Sequence, residues 1–190
     1  MPRLRQNGPG GGPIAKLATF AVMETFKFEP HRIKLIILDA DGTLTDGGIY
    51  LTASGEEFKK FNARDGLAMN RLNKNGFRVA ILSHRKNTAI IKKRADMLGL
   101  ETWYAGQEKK SVVIREWMRE LELEASEILF MGDDLNDLDA FRMAGAAVCP
   151  SDADPLIRQH AHLVLDARGG DGCFRELADR AFREVLLFTE

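Results

Sequence analysis

The 190-residue chain has very little cysteine, no long apolar run and almost no net charge. Its two cysteines, Cys149 and Cys173, sit among apolar neighbours and imply no disulfide framework; a reducing cytoplasm suits them. No stretch approaches the roughly 18 consecutive apolar residues of a membrane span, so no membrane partner is expected. A formal net charge of −1 gives no case for nucleic-acid binding. No internal repeat is visible. What is present is ordinary for a soluble globular protein: 45% hydrophobic and 29% charged residues, enough for one domain with a sizeable core.

The first thirty residues stand apart. MPRLRQNGPGGGP is rich in Gly and Pro and reads as disordered. IAKLATFAVMETF imitates a signal-peptide core, but Lys16 interrupts it and no small-residue cleavage site follows. A short helix packed on the domain fits better, with Pro30 separating it from the first strand. The expected organisation is a flexible tail and short helix over 1–30 and one domain over 31–190.

Residues 35–46, LIILDADGTLTD, are the most informative segment. An apolar, β-branched run reads as a buried parallel strand. It ends in Asp39 and Asp41, which as strand residues two apart would share a face. Open α/β sheets bind ligands at that carboxyl edge. Gly42 allows a sharp turn there. Two close carboxylates stay ionised cheaply only beside a cation, so the pair suggests a Mg²⁺ site with one acid free for chemistry. A second acidic cluster lies in ILFMGDDLNDLDAF, residues 128–141. Asp133 follows the strand Ile128–Met131 and can reach the same edge as Asp39. Asp137, one helical turn on, could orient a metal-bound water or a neighbouring lysine. Helix capping by Asp133 or Asp134 is the structural alternative, and explains one acid of the three.

Two further parts lie between these clusters. FRVAILSHR, residues 77–85, is a strand ending in Ser83, His84 and Arg85. A hydroxyl there can hold a phosphoryl oxygen or cap the next helix. In YAGQEKKSVVIREWM, residues 104–118, Lys109 and Lys110 open a helix. A cation is unfavourable at that end of the macrodipole, which suggests a lysine turned toward an anion.

The alternation predicts strands at 33–38, 77–82, 102–104, 128–131, 146–149 and 162–165. Helices are expected near 65–75, 86–98, 109–121, 135–144, 154–160 and from about 173. The fold class is therefore α/β: a Rossmann-like three-layer α/β/α sandwich around a central parallel sheet. Residues 46–66, DGGIYLTASGEEFKKFNARDG, read as a β-hairpin with a turn at Ser54-Gly55.

The order DxDGT, strand ending in Ser, Lys, then GDDxxD resembles the haloacid dehalogenase superfamily of phosphohydrolases, from about Ile33 to Arg180. The resemblance implies Asp39 as a nucleophile forming an aspartyl phosphate, and Asp41 as general acid/base. It implies Ser83 as phosphoryl ligand and, through the family spacing GxxxK from Gly106, Lys110 as the lysine that neutralises charge and steadies Asp39. Mg²⁺ would be held by the Asp39 carboxylate, the Asp41 main-chain carbonyl and the Asp133 carboxylate, with Asp134 and Asp137 behind them. Phosphoryl transfer needs positioning and charge neutralisation above all, which these residue types supply. A phospho-accepting receiver module uses similar residues but carries its acceptor after the third strand, where WYAG has no acid.

The hairpin is too short to be a large cap domain. DGGIY, GEEFKKFNARDG, SHR and GGDGCFREL look like the small-cap 3-deoxy-D-manno-octulosonate 8-phosphate (KDO 8-phosphate) phosphatases. The KDN 9-phosphate phosphatases and the phosphatase-like domains attached to some acylneuraminate cytidylyltransferases share the pattern. That resemblance implies a homotetramer whose hairpins cover neighbouring sites, and a sugar-acid phosphate as the small-molecule substrate. It implies that Asn62, Arg64 and Arg85 face the substrate and that Arg175 reaches its carboxylate. A surface ion pair with Glu176 or Asp179 is the alternative for Arg175. Two departures bear on the substrate: Ser83-His84-Arg85 stands where the family reads TGR, and Cys173-Phe174 stands where small residues are usual.

Overall fold

The computed structural model describes residues 27–187; the predicted N-terminal helix lies outside them. In chain order the elements are β1 Leu35–Leu38, β2 Tyr50–Leu51, β3 Glu57–Phe58, α1 Ala63–Lys74, β4 Arg78–His84, α2 Ala89–Leu98, β5 Thr102–Gly106 and α3 Lys110–Glu120. There follow β6 Ile128–Met131, α4 Leu138–Met143, β7 Ala146–Cys149, α5 Pro155–His160, β8 Leu163–Val164, α6 Cys173–Ala181 and α7 Arg183–Leu187. Six strands form one parallel sheet in the order β5-β4-β1-β6-β7-β8. The expected α/β architecture is therefore the observed one.

β1 is apolar throughout because both of its faces are buried. Ile36 and Leu38 join Met69, Leu72, Ile91 and Leu177 on one side. Leu35 and Ile37 join Ile114, Phe141 and Ile157 on the other. These two cores are the two helical layers' contacts with the sheet. From β1 the chain steps outward to β4 and β5, then returns to the other side of β1 at β6 and runs outward to β7 and β8. The direction reverses between β1 and β6, and the crevice at their carboxyl ends is where such sheets take ligands. Asp39 follows β1 and Asp133 follows β6, so the topology alone brings them together.

Boundaries shift where tertiary contacts override periodicity. Residues 135–144, expected as one helix, open with a 3-10 turn at Leu135–Asp137 before α4. The expected hairpin is present, with Tyr50 opposite Phe58 and Leu51 opposite Glu57. Among the described residues no helix is long and apolar enough to cross a membrane.

The glycine-rich segment before α6 lies on the chain's own β1 loop. The Gly170 amide donates to the Thr43 carbonyl at 2.9 Å, and a Cβ at Gly169 would collide with the Gly42 carbonyl oxygen. Cys173 and Phe174, unusual for the resembling family, are fully buried in this chain's core, and the Cys173 thiol donates to the Thr43 carbonyl. Asp65 on α1 anchors the segment by accepting the Arg175 amide at 2.7 Å. Burial pushes the Asp65 carboxyl up to about 6, against the amide bonds and the Arg94 charge that favour its ionised form. The folded protein thus holds a proton on Asp65 that the unfolded chain releases near its ordinary value. Stability from this group falls as pH rises from about 4 to 6 and is level above. Asp65→Asn keeps the acceptor and is expected to flatten that part of the pH–stability curve, measured by chemical unfolding at pH 4.5 and 7; an unchanged slope would count against it.

Candidate active site

β1 stops at Leu38, and the next residues form a tight turn over Ala40–Leu44 instead of prolonging the strand. Gly42 turns the chain with φ of 90°, and a Cβ there would collide with the Asp133 carboxylate. The strand alternation expected to put Asp39 and Asp41 on one face therefore no longer applies. The two acids reach different side-chain partners, Asp39 the Lys110 ammonium and Asp41 the Lys59 ammonium.

The first cluster is buried. Lys110, the first residue of α3, turns its ammonium inward to Asp39 and Asp137, while Lys109 is exposed. Geometry thus selects Lys110 of the two lysines. Asp137 accepts Lys110 on Oδ1 and the Asp133 and Asp134 amides on Oδ2. It orients the lysine and the loop, and both of its oxygens are engaged. Asp133 accepts the Thr43 hydroxyl at 2.7 Å on Oδ1. Asp134 is exposed and caps the turn after β6 through the Leu135 amide. Ser83 is buried near the end of β4, two residues beyond the partner of Leu38.

Electrostatics at this cluster is one-sided. Asp39, Asp133 and Asp137 bring ligand oxygens within 4.8 Å of one another. Burial, together with the neighbouring acids, raises the Asp39 carboxyl well above its usual range despite Lys110, and pushes Asp133 up to about 7. Burial works against the Lys110 charge, but the Asp39 and Asp137 carboxylates outweigh it and hold the ammonium charged. One ammonium faces three carboxylates, leaving two negative charges uncompensated. That is the charge of one divalent cation, and Asp39 and Asp133 are the acids with oxygens left for it.

The second cluster adjoins it around Asp41. The Lys59 ammonium lies 2.8 Å from Asp41 Oδ1, and Arg85 Nη1 lies 3.6 Å from Oδ2. Glu57 on β3 accepts Arg85 Nη2 on both oxygens at 2.6 and 2.8 Å. Glu57 and Lys59 were not among the residues expected from the sequence. Their signal was the alternation Glu57-Phe58-Lys59, which could not say that the charged face would be the inward one. Thr43 was likewise missed.

The remaining expected residues are placed less centrally. Asn62 caps α1, accepting the Arg64 amide at 2.8 Å, and Arg64 is exposed. Arg175 pairs along its own helix with Asp179 at 2.8 Å, which is the surface-pair alternative. His84 is exposed and lies 3.1 Å from the Gln107 carbonyl.

A doubly wound parallel sheet with a buried Asp-Lys-Asp constellation at its switch point has its charged groups where α/β proteins of this topology take their ligands. In comparison with known proteins, the haloacid dehalogenase-like hydrolase family profile matches residues 60–145. Over 147 residues the chain is 37% identical to the 3-deoxy-D-manno-octulosonate 8-phosphate phosphatase KdsC of Yersinia pestis, covering 77% of this chain and 78% of that protein. The solved structure of the Yersinia pestis phosphatase superposes with a TM-score of 0.77 at 36% identity, over 81% of this chain and 83% of that one. That of the Moraxella catarrhalis phosphatase, in complex with magnesium ion, phosphate ion and KDO, gives a TM-score of 0.77 at 32% identity, over 81% and 88%. The chain belongs to the haloacid dehalogenase-like hydrolase family and is an enzyme of that class.

Proposed function

We propose that the protein is a Mg²⁺-dependent phosphatase that hydrolyses KDO 8-phosphate to KDO and phosphate through an aspartyl-phosphate intermediate, as a cytoplasmic homotetramer. The observation that carries this reading is the charge balance at Lys110: three crowded carboxylates against one ammonium, short by the charge of one divalent cation. The similarity to KdsC proteins supports the choice of ester.

In this reading Asp39 attacks phosphorus and the ester oxygen leaves with a proton from Asp41. Asp41 then takes a proton from the water that attacks the aspartyl phosphate. Ser83 and Lys110 hold the phosphoryl oxygens in both halves. Mg²⁺, held by the Asp39 and Asp133 carboxylates and the Asp41 main-chain carbonyl, would neutralise charge between nucleophile and phosphate. Arg85 is suited to the sugar acid, because its Nε and Nη1 are buried without a hydrogen-bond partner among the described residues. Asn62, Arg64 and Arg175 are proposed to approach the substrate only in the assembled protein.

The deciding experiment is phosphate release with Mg²⁺ from KDO 8-phosphate, KDN 9-phosphate, N-acetylneuraminate 9-phosphate and hexose phosphates. Preference for KDO 8-phosphate is expected. Preference for a nine-carbon acid would transfer the protein to that substrate with its chemistry intact, and no release from any ester would end the phosphatase reading. Mg²⁺ at about 100 times its dissociation constant should also stabilise the fold by roughly 2.7 kcal/mol at neutral pH. A thermal melt reads this directly, and EDTA should reverse it.

The hairpin supports the assembly. Ile49, Leu51 and Phe58 are 74%, 63% and 55% exposed, an apolar surface that a second copy would cover. Phe58→Asp is expected to convert tetramer to smaller species in light scattering; a wild-type monomer would refute the assembly.

A further inference from the structure

We infer that Lys59 is a positioning residue for Asp41, delivered to the site by the hairpin. The inference rests on the phosphatase reading and extends it to a residue for which that reading has no role.

The argument starts from the hairpin's inverted pattern. Strand alternation puts Glu57 and Lys59 on one face and Phe58 on the other. In an ordinary surface hairpin the charged face meets water and the apolar face meets the protein. Here Phe58 is 55% exposed and stacks on Tyr50 with ring centroids 5.2 Å apart, while the Lys59 side chain is 3% exposed. Lysine is almost never so buried without a partner, because its charge loses hydration and its long stem loses rotamer freedom. Glu57, with both oxygens on Arg85, already fastens the hairpin to the end of β4. A second buried charge is not needed for attachment.

The destination of Lys59 is specific. Its ammonium donates to the Gly48 carbonyl at 3.2 Å, lies 3.6 Å from Glu57 Oε1, and stands 2.8 Å from Asp41 Oδ1. Two acids and two bases, Asp41, Glu57, Lys59 and Arg85, form a charge-balanced group beside the acid-rich Lys110 cluster. The Lys59 contact to Asp41 is a close ion pair without hydrogen-bond geometry, so Asp41 Oδ1 keeps its lone pairs. Such a contact restrains where the carboxylate lies without occupying the atom that must carry the proton. When the ester P–O bond breaks and the Asp39–phosphorus bond forms, the leaving oxygen takes the Asp41 proton. The carboxylate left behind stays beside a fixed cation until it accepts the proton of the attacking water.

Lys59→Met keeps the stem and removes the charge; Lys59→Arg restores it. Each variant, with wild type and Asp41→Asn, is assayed for kcat and KM on the preferred sugar phosphate and on p-nitrophenyl phosphate. The nitrophenolate leaves without a proton, whereas a sugar alkoxide does not. Water attack on the shared aspartyl phosphate needs Asp41 for both esters, whereas departure of the leaving group, which kcat/KM reports, needs the Asp41 proton only for the sugar ester. Loss of positioned acid catalysis should lower kcat/KM on the sugar ester by roughly 10²-fold or more and on the nitrophenyl ester by under about tenfold, a contrast that Asp41→Asn must reproduce. Lys59→Arg should recover most of the loss. Equal losses of kcat/KM on both esters would overturn the inference, because a merely structural lysine depresses both alike. If wild type is active but Asp41→Asn shows no leaving-group contrast, the inference falls and the phosphatase reading stands. If wild type releases phosphate from neither ester, both fall.

Discussion

Asp39→Asn is expected to abolish phosphate release, by about 10⁴-fold or more in kcat, while the protein stays folded. An amide of the same shape cannot attack phosphorus, and removing a covalent nucleophile costs losses of that order. The same substitution should leave the metal-free protein no less stable at pH 7. Burial and the neighbouring acids raise the Asp39 carboxyl, so its ionised form opposes folding there. Asn removes that opposition, and Lys110 keeps Asp137 as a partner. Activity and a thermal melt on one preparation test both halves. Residual kcat within tenfold of wild type would remove Asp39 from the nucleophile's role, and a collapsed melt would make it structural.

Lys110→Met should give the largest loss of stability, roughly 3–5 kcal/mol in metal-free protein, with loss of activity alongside. Asp39, Asp133 and Asp137 would then crowd one buried site with no counter-charge. At this chain length the melting temperature should drop by about 2–4 °C for each kcal/mol. The pH dependence follows from the directions of the shifts. Lys110 is raised in the fold, so its contribution is complete below the ordinary lysine value and is lost only as pH climbs through the raised one. Between pH 6 and 9 the wild-type lysine is therefore not the source of any slope. In the variant the acids become the source: with Asp133 near 7 or higher, its stability should recover as pH falls below 7. Mg²⁺ should restore part of the loss at neutral pH. A variant as stable as wild type at pH 7.5 would mean that the carboxylates are not in fact held against one another.

Much of this site is legible in the amino-acid sequence. The apolar run 35–38 ending in acids, the second run 128–131 ending in acids, and the lysine after a short strand are local patterns with local physical causes. Parallel pairing of these strands follows from their alternation with helices, and a doubly wound sheet brings its strand ends together at the switch point. Asp39 and Asp133 can be named for that reason, and the lysine can be narrowed to Lys109 or Lys110. Other features are out of reach because they depend on which face of an element turns inward. Asp39 and Asp41 take different side-chain partners because a tight turn over Ala40–Leu44 follows the strand. Asp137 serves Lys110 instead of a water because the loop after β6 folds its amides onto it.

The chain's composition and spacing determined the class of fold, the edge of the sheet where chemistry occurs, and the acids and lysine that meet there. These follow from hydrophobic burial and backbone periodicity, which act within a few residues of one another. Only the tertiary structure decided that Lys110 and not Lys109 is the buried cation, that the hairpin turns its charges inward and its aromatic rings out, and that the glycine-rich segment lies against its own chain's β1 loop. Those choices depend on long-range packing. A charge is buried only where partners from distant elements converge on it, and neither the convergence nor its direction is written in any local stretch of sequence.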